Sequence, residues 1–138
     1  MNFKEKSSWV MCVSVILGAL FYAYALTGSL KNGEAIQLKS ITIIYILIII
    51  LASIIGHIVA ALTKLKEAEA HEDERDEIIS IRSNSMSSYV LGLGLFSGMI
   101  LYLVVGNGDV LFHFILTSLT LSTIIEYILR IYFYRTIV

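Results

Sequence analysis

Two ionisable residues near the end of the last apolar stretch are the first candidates for chemistry. Glu126 and Arg130 are four residues apart, so on a helix they can form an i, i+4 ion pair. Charged side chains inside a membrane are costly and often mark pathways for protons or ions. The same pair could also anchor the helix, because a long arginine side chain can extend to the headgroups. Both interpretations are open at this stage.

Two histidines and a group of hydroxyls could carry protons or contact a polar ligand. His57 lies toward one end of the second apolar stretch and His113 near the start of the fourth, which places them too far apart for one metal. Each histidine is either hydrogen-bonded to a neighbouring helix or part of a proton relay or pH sensor. The fourth stretch also carries hydroxyls that could form a polar seam: Thr117, Ser118, Thr120, Ser122 and Thr123.

An acidic segment from Glu67 to Glu77 holds seven of the eleven acidic residues of the chain. On a helix, Glu67, His71 and Glu74 would share a face, and that pattern could bind a transition metal weakly. A solvated charged helix is favoured, because lysines and arginine are interspersed and there is no thiolate ligand. We expect no metal site and no cofactor. No nucleophile with its base, phosphate-binding loop or zinc-protease helix occurs, so we expect a protein that is not an enzyme.

The composition indicates that these candidates are carried by transmembrane helices. Of the 138 residues 57% are hydrophobic and 15% are charged, against roughly 25% charged in a typical soluble domain. The apolar residues form four stretches of about the 20 residues that cross a bilayer, and in lipid such stretches must be helical. They cover residues 9–30, 41–63, 88–105 and 110–134. The prediction is an all-α protein, an antiparallel four-helix transmembrane bundle forming one domain over residues 1–138.

Proline and cysteine usage narrows the class further. Proline is absent, which favours straight helices over the broken helices of many transporters. Cys12 is the only cysteine, so an intrachain disulfide and a dithiol oxidoreductase are both excluded.

The basic residues predict the orientation in the cell membrane. Eight lysines and arginines lie at the termini or between spans 2 and 3, whereas only Lys31 and Lys39 lie on the other side. The positive-inside rule then places both termini and the acidic loop in the cytoplasm. A net charge of −1 gives no reason to expect direct nucleic-acid binding. The start of the chain through Ala23-Tyr-Ala25 also resembles a secretory signal, but the apolar character continues to Leu30 and favours a retained span.

Two connections and one packing motif complete the organisation. Residues 106–109 predict a tight turn, with Asp109 capping the helix that follows. The loop over about 64–87 has no glycine or proline, so we expect span 2 to continue as a cytoplasmic helix until Ser83–Ser88 breaks it and caps span 3. In span 3, Gly94 and Gly98 form a G-x-x-x-G motif, which serves packing within the bundle or forms a homodimer interface.

One segment resembles a known family. Residues 73–83, Asp-Glu-Arg-Asp-Glu-Ile-Ile-Ser-Ile-Arg-Ser, are followed by Ser88-Tyr89 and a glycine-rich span. This is similar to a family of uncharacterised small four-span membrane proteins of bacteria and archaea, with a D-E-R-D-x-x-I-x-x-R motif between spans 2 and 3. Members of the family resemble proteins that are encoded beside small helix-turn-helix regulators, and the resemblance therefore implies a membrane-bound control role. Its motif residues here are Asp73, Glu74, Arg75, Asp76, Ile79 and Arg82.

Two functional hypotheses from different classes follow. The first is a membrane sensor or adaptor that displays residues 73–82 to a cytoplasmic partner, such as a regulator of the helix-turn-helix type. The second is a small dimeric transporter or channel that uses Glu126 and the hydroxyls of span 4. The motif could instead hold the cytoplasmic side of the bundle together through charge pairs. In that case Asp73, Asp76 and Glu77 would pair with Arg75 or Arg82 on neighbouring turns, or with Arg130 and Arg135 at the end of span 4.

Overall fold

The computed structural model describes residues 3–32, 38–63 and 74–136, and almost all of them are helical. The four helices are α1 (Phe3–Asn32), α2 (Leu38–Thr63), α3 (Glu74–Val105) and α4 (Gly108–Thr136). Each contains a stretch long and apolar enough to cross a membrane, and the described residues include no strand. The prediction of an all-α protein with four membrane-crossing helices is therefore confirmed.

The helices pack in sequential pairs. The chain forms two compact units, Met1–Glu69 and Ala70–Val138. In the first, α1 packs against α2, and in the second, α3 packs against α4. We refer to these pairs as hairpin 1 and hairpin 2. The prediction of one domain stays a prediction.

Hairpin 1 is held by apolar side chains and close helix contacts. The rings of Tyr22 and Tyr45 lie 5.7 Å apart across the pair, and both side chains are buried. Gly18 lies against Ile49, and a methyl group at Gly18 would lie 2.7 Å from Cγ1 and 3.0 Å from Cδ1 of that isoleucine. The missing side chain therefore lets α1 and α2 approach closely.

The turn of hairpin 2 contains only two residues that are not helical. Gly106 has φ +68°, a left-handed conformation that favours glycine, and its N–H donates to the carbonyl of Tyr102 at 2.7 Å. The side-chain Oδ1 of Asn107 accepts from the N–H groups of Asp109 and Val110 at 2.9 and 3.5 Å. The cap of α4 is thus Asn107. The prediction of Asp109 as the cap is wrong, because α4 begins one residue before it, at Gly108.

The predicted break at Ser83–Ser88 is also wrong, since α3 runs without interruption from Glu74 to Val105. The Ser83 hydroxyl donates to the carbonyl of Ile79 at 2.7 Å, and Ser88 donates to that of Asn84 at 2.7 Å. Serine hydroxyls that bond back by one turn leave the backbone bonds of the helix in place. The predicted continuation of span 2 falls on residues 64–73, outside the described residues, whereas residues 74–87 form the first turns of α3.

Candidate functional site

Three contacts define the register of hairpin 2. Near the turn, Gly94 lies against Ser118. Further along, the Ser122 hydroxyl donates to the carbonyl of Ser87 at 2.9 Å. Toward the open end, Arg130 donates to the hydroxyl of Ser80 at 3.0 Å. In this antiparallel register Glu126 is level with Asn84, within about 3 Å of the height of Arg82 along the helix axis.

Both glycines of the G-x-x-x-G motif face α4 within this hairpin. A methyl group at Gly94 would lie 2.2 Å from the Ser118 hydroxyl oxygen and 2.6 Å from its Cβ, and one at Gly98 would lie 3.2 Å from the Cβ of Phe114. Small residues at this spacing let the two backbones come close. The geometry therefore gives the motif a packing role inside hairpin 2, and a homodimer stays a prediction.

A polar cluster joins α3 to α4 at the open end. We call it the polar clamp, and it consists of Arg75, Asp76, Ser80, Glu126, Arg130 and Tyr134. The Tyr134 hydroxyl donates to Asp76 Oδ1 at 2.9 Å, and Arg75 donates to the carbonyl oxygen of Tyr134 at 3.1 Å. Asp76 is only 9% exposed. A buried carboxylate needs a donor, which Tyr134 supplies, and the two bonds join the start of α3 to the end of α4.

Glu126 and Arg130 make the predicted ion pair, with a distance of 2.6 Å between Oε1 and the guanidinium nitrogen. Arg130 also lies over the ring of Tyr127, 5.4 Å from its centroid. The two side chains are 20% and 27% exposed, so the pair is partly desolvated and held by Ser80. Glu126 is about 26 Å along α4 from Asp109, close to the roughly 30 Å thickness of a hydrocarbon core. That depth favours the anchor interpretation.

The residues of the family-like motif divide between two faces of α3. Asp76 and Ile79 are buried against α4, and Ile79 is 1% exposed. Glu74 is exposed, and Arg82 is exposed with its guanidinium 5.3 Å from the ring centroid of Phe133. Asp73 lies outside the described residues. Of the groups expected to pair, Asp76 accepts a hydrogen bond from Tyr134, and Arg130 is paired with Glu126.

The histidines belong to different hairpins. His57 in α2 has its Nδ1 2.7 Å from the carbonyl oxygen of Ser53 and its Nε2 2.9 Å from the hydroxyl of Ser7 in α1. A carbonyl only accepts, so Nδ1 carries the hydrogen, and in the neutral ring Nε2 accepts from Ser7. His57 is therefore hydrogen-bonded to a neighbouring helix, which is the first of the two alternatives expected for it. His113 in α4 lines a groove on hairpin 2, and its ring meets that of Phe112 edge-on at 6.2 Å.

Most hydroxyls of α4 donate within the hairpin. Ser118, Thr120 and Thr123 donate to carbonyls one turn earlier, at 2.7–2.8 Å. Ser122 donates across to α3. Such bonds satisfy polar groups in an apolar environment, so a continuous polar seam along α4 does not form from these four residues.

The weak metal pattern falls on Glu67 and His71, which lie outside the described residues. Among the residues that the structure describes, no group of three or more histidine, cysteine, aspartate or glutamate side chains could hold a metal ion. Comparisons with protein-family models, with curated proteins and with solved structures find no match for this chain.

Sequence reasoning missed the contribution of Tyr134 and Ser80 to this site. A tyrosine near a membrane interface fits an aromatic belt, and its role as a donor to Asp76 depends on the rotation of α4 against α3. A signal was available in the sequence, because a tight turn at residues 106–109 places positions near 134 roughly opposite positions near 76 on two antiparallel helices.

Proposed function

We propose that this chain is a non-enzymatic membrane sensor or adaptor that presents the start of α3 to a regulatory partner in the cytoplasm. The observation that carries the proposal is the first part of α3, which is hydrogen-bonded to α4 on one face and exposed on the other. The polar clamp supplies the bonded side. The opposite side carries the exposed Ile78 and Ile81.

The projection follows from the position of the charges. Arg82 is level with the edge of the apolar stretch of hairpin 2, and Glu74 begins α3 about 12 Å further along its axis. Residues 74–82 therefore extend beyond the hydrocarbon layer when the apolar stretches lie within it. With the positive-inside rule, this segment extends into the cytoplasm.

The exposed face of this segment is suited to recognition. Helical spacing puts Glu74, Glu77, Ile78, Ile81 and Ser85 on one side, which we call the outward face. It lies opposite Asp76 and Ser83, which are buried against α4. Ile78 and Ile81 are 57% and 61% exposed. Fixed apolar side chains flanked by charge resemble the contact surface of a protein interface, and a surface that is already ordered loses little entropy on binding.

This division changes which motif residues contact a partner. Arg75, Asp76 and Ile79 act indirectly in the proposal, because they hold α3 against α4. Glu74 and Arg82 are exposed and can make direct contacts, together with Glu77, Ile78 and Ile81 outside the motif.

The transporter hypothesis receives less support from the same contacts. Glu126 is neutralised by Arg130, and Arg130 is held by Ser80. The donor hydrogens of four span-4 hydroxyls are used by backbone carbonyls. A transport pathway needs polar groups that exchange partners with the substrate, whereas these are engaged in the hairpin.

Site-specific photo-cross-linking in living cells tests the proposal. A photoreactive amino acid is placed at Ile78 or Ile81 on the outward face, and at Leu103 as the matched control. Leu103 is on the same helix and is 83% exposed, but it lies in the apolar stretch. We expect one cytoplasmic protein to be captured at both isoleucines, and its adduct to be lost when Glu77→Lys is added.

Two outcomes would contradict the adaptor proposal. The first is the absence of any protein adduct at Ile78 and Ile81, with lipid adducts alone. The second is an identical set of adducts at Leu103, which would mean that the outward face selects no partner.

A further inference from the structure

A groove on hairpin 2 lies between α3 and α4, toward the turn. Its volume is about 500 Å³, and most of its wall is apolar, including Leu93, Val110 and Leu121. Pockets that bind small molecules have about this size and composition, roughly 300–1,000 Å³ with a few polar groups. No charged residue lines it, so a charged ligand would lose its hydration without compensation.

One hydroxyl in this groove differs from its neighbours. Ser118, Thr120 and Thr123 donate to carbonyls of α4, whereas the Thr117 hydroxyl has no hydrogen-bond partner among the described residues. Thr117 is exposed and lines the groove. It lies about 12 Å along α4 from Asp109, deep in the apolar layer. A hydroxyl without a partner in hydrocarbon costs free energy, so an oxygen atom brought to this position would be bound favourably.

We infer that the groove binds a small, uncharged, apolar molecule carrying one hydrogen-bonding oxygen. That oxygen lies at the Thr117 hydroxyl, with the imidazole of His113 one turn away on the same helix. The apolar body lies along Leu93 and Leu121. The acyl chain of a phospholipid does not fit this description, because the ester and phosphate oxygens of lipids lie at the bilayer surface.

This inference gives the proposed sensor its input and rests on that proposed function for its consequence. Ligand in the groove touches both helices of the hairpin, whose other end carries the polar clamp and the outward face. A ligand changes that end only if it binds two arrangements of the hairpin with different affinity. Binding itself requires no partner protein.

The test uses the full chain in lipid nanodiscs and a medium-chain primary alcohol that carries a photoreactive diazirine. A diazirine alkane of the same length, without the hydroxyl, is the matched probe. We expect the alcohol to label the residues of α3 and α4 that line the groove, and unlabelled octanol to compete. Thr117→Val keeps the shape and removes the hydroxyl, so octanol should compete about two- to tenfold less well. Thr123→Val, which removes a hydroxyl bonded to its own helix, should leave competition unchanged.

Three outcomes would overturn the inference. Labelling of the wild type only outside the groove would show that the groove is covered in the membrane, by another part of the chain or by a second copy. Equal competition in wild type and Thr117→Val would show that the hydroxyl does not bind the oxygen. Equal labelling by the alkane would show filling by any apolar chain. None of them depends on the adducts at Ile81, so the ligand site and the adaptor role can fail separately.

Discussion

The second helices of the two hairpins, α2 and α4, differ in the length of their charge-free stretch. In hairpin 1, Ser40–Leu62 of α2 has no charge over 23 residues, which corresponds to about 35 Å. In hairpin 2, the charge-free part of α4 runs only from Val110 to Ile125, about 24 Å. The hydrocarbon core measures roughly 30 Å. Hairpin 2 therefore brings Glu126 to the edge of the apolar layer, where a charge needs a partner.

Both hairpins also bury polar groups between their helices. Hairpin 1 buries Glu5 and Ser14 beside its apolar side chains. Hairpin 2 buries the serines Ser83 and Ser87 and a carboxylate, Asp76. Contacts between apolar side chains tolerate small displacements, whereas hydrogen bonds between helices depend on distance and angle. The polar clamp therefore sets the position of α4 against α3 more closely than apolar packing alone would.

The largest expected effect is on stability, when a methyl group is added to a glycine at the helix contact of each hairpin. Gly94→Ala should lower the free energy of unfolding by about 2–3 kcal/mol, because the new methyl meets the Cβ of Ser118, which is fixed to the backbone. Gly18→Ala should cost less, about 1 kcal/mol, because its methyl meets Ile49 at Cγ1, one bond beyond Cβ, and a rotation of that side chain can relieve the contact. Unfolding in mixed micelles measures both.

Gly92→Ala is the matched control for this pair, since nothing lies within 4 Å of a methyl group there. Its free energy of unfolding should equal that of the wild type or exceed it slightly. If Gly94→Ala and Gly18→Ala cost the same, the claimed difference between the two glycine contacts is wrong.

A smaller effect is expected at the polar clamp. Tyr134→Phe removes the donor to Asp76 and should lower the free energy of unfolding by about 1–2 kcal/mol, because the nearly buried carboxylate loses that hydrogen bond. Amide hydrogen exchange over residues 74–80 should accelerate. Tyr132→Phe is the control, since Tyr132 is 57% exposed, and it should change neither quantity. Unchanged exchange in Tyr134→Phe would show that the clamp does not hold the start of α3.

The smallest effect is expected in hairpin 1, at its histidine. Ser7→Ala removes the hydroxyl that lies 2.9 Å from His57 Nε2 and should cost about 0.5–1 kcal/mol. Ser53→Ala keeps the carbonyl that His57 contacts and loses only a long 3.5 Å bond to Ile50, so its thermal midpoint should stay at the wild-type value. If Ser7→Ala cost more free energy of unfolding than Tyr134→Phe, the interhelical hydrogen bond of hairpin 1 would be the stronger one, which would contradict the comparison.

The helices were predictable because lipid leaves the backbone few alternatives. An apolar stretch such as residues 41–63 must satisfy its backbone groups internally, so its length and composition suffice to assign a spanning helix. The turn after Val105 was predictable for a related reason, because glycine alone readily adopts the left-handed conformation seen at Gly106.

The contacts that build the candidate site were less accessible to sequence reasoning. A serine such as Ser83 can cap a helix, or it can lie inside one when its hydroxyl donates to a carbonyl one turn back. Ser83 lies inside α3, where it is buried. The pairing of Tyr134 with Asp76 depends on the rotation of two helices about their axes. One residue of rotation, about 100° on a helix, would have turned Asp76 away from α4.

The two-residue turn between α3 and α4 also bears on how the chain enters the bilayer during synthesis. α4 contains the least hydrophobic of the four spanning stretches, yet only Gly106 and Asn107 separate it from α3. The two helices are therefore joined closely enough to insert together as a hairpin, so that the polar groups of α4 meet α3 before they meet lipid. Between Arg82 and Glu126 the sequence has a single charge, Asp109, and its carboxylate is the only one that this hairpin must carry across.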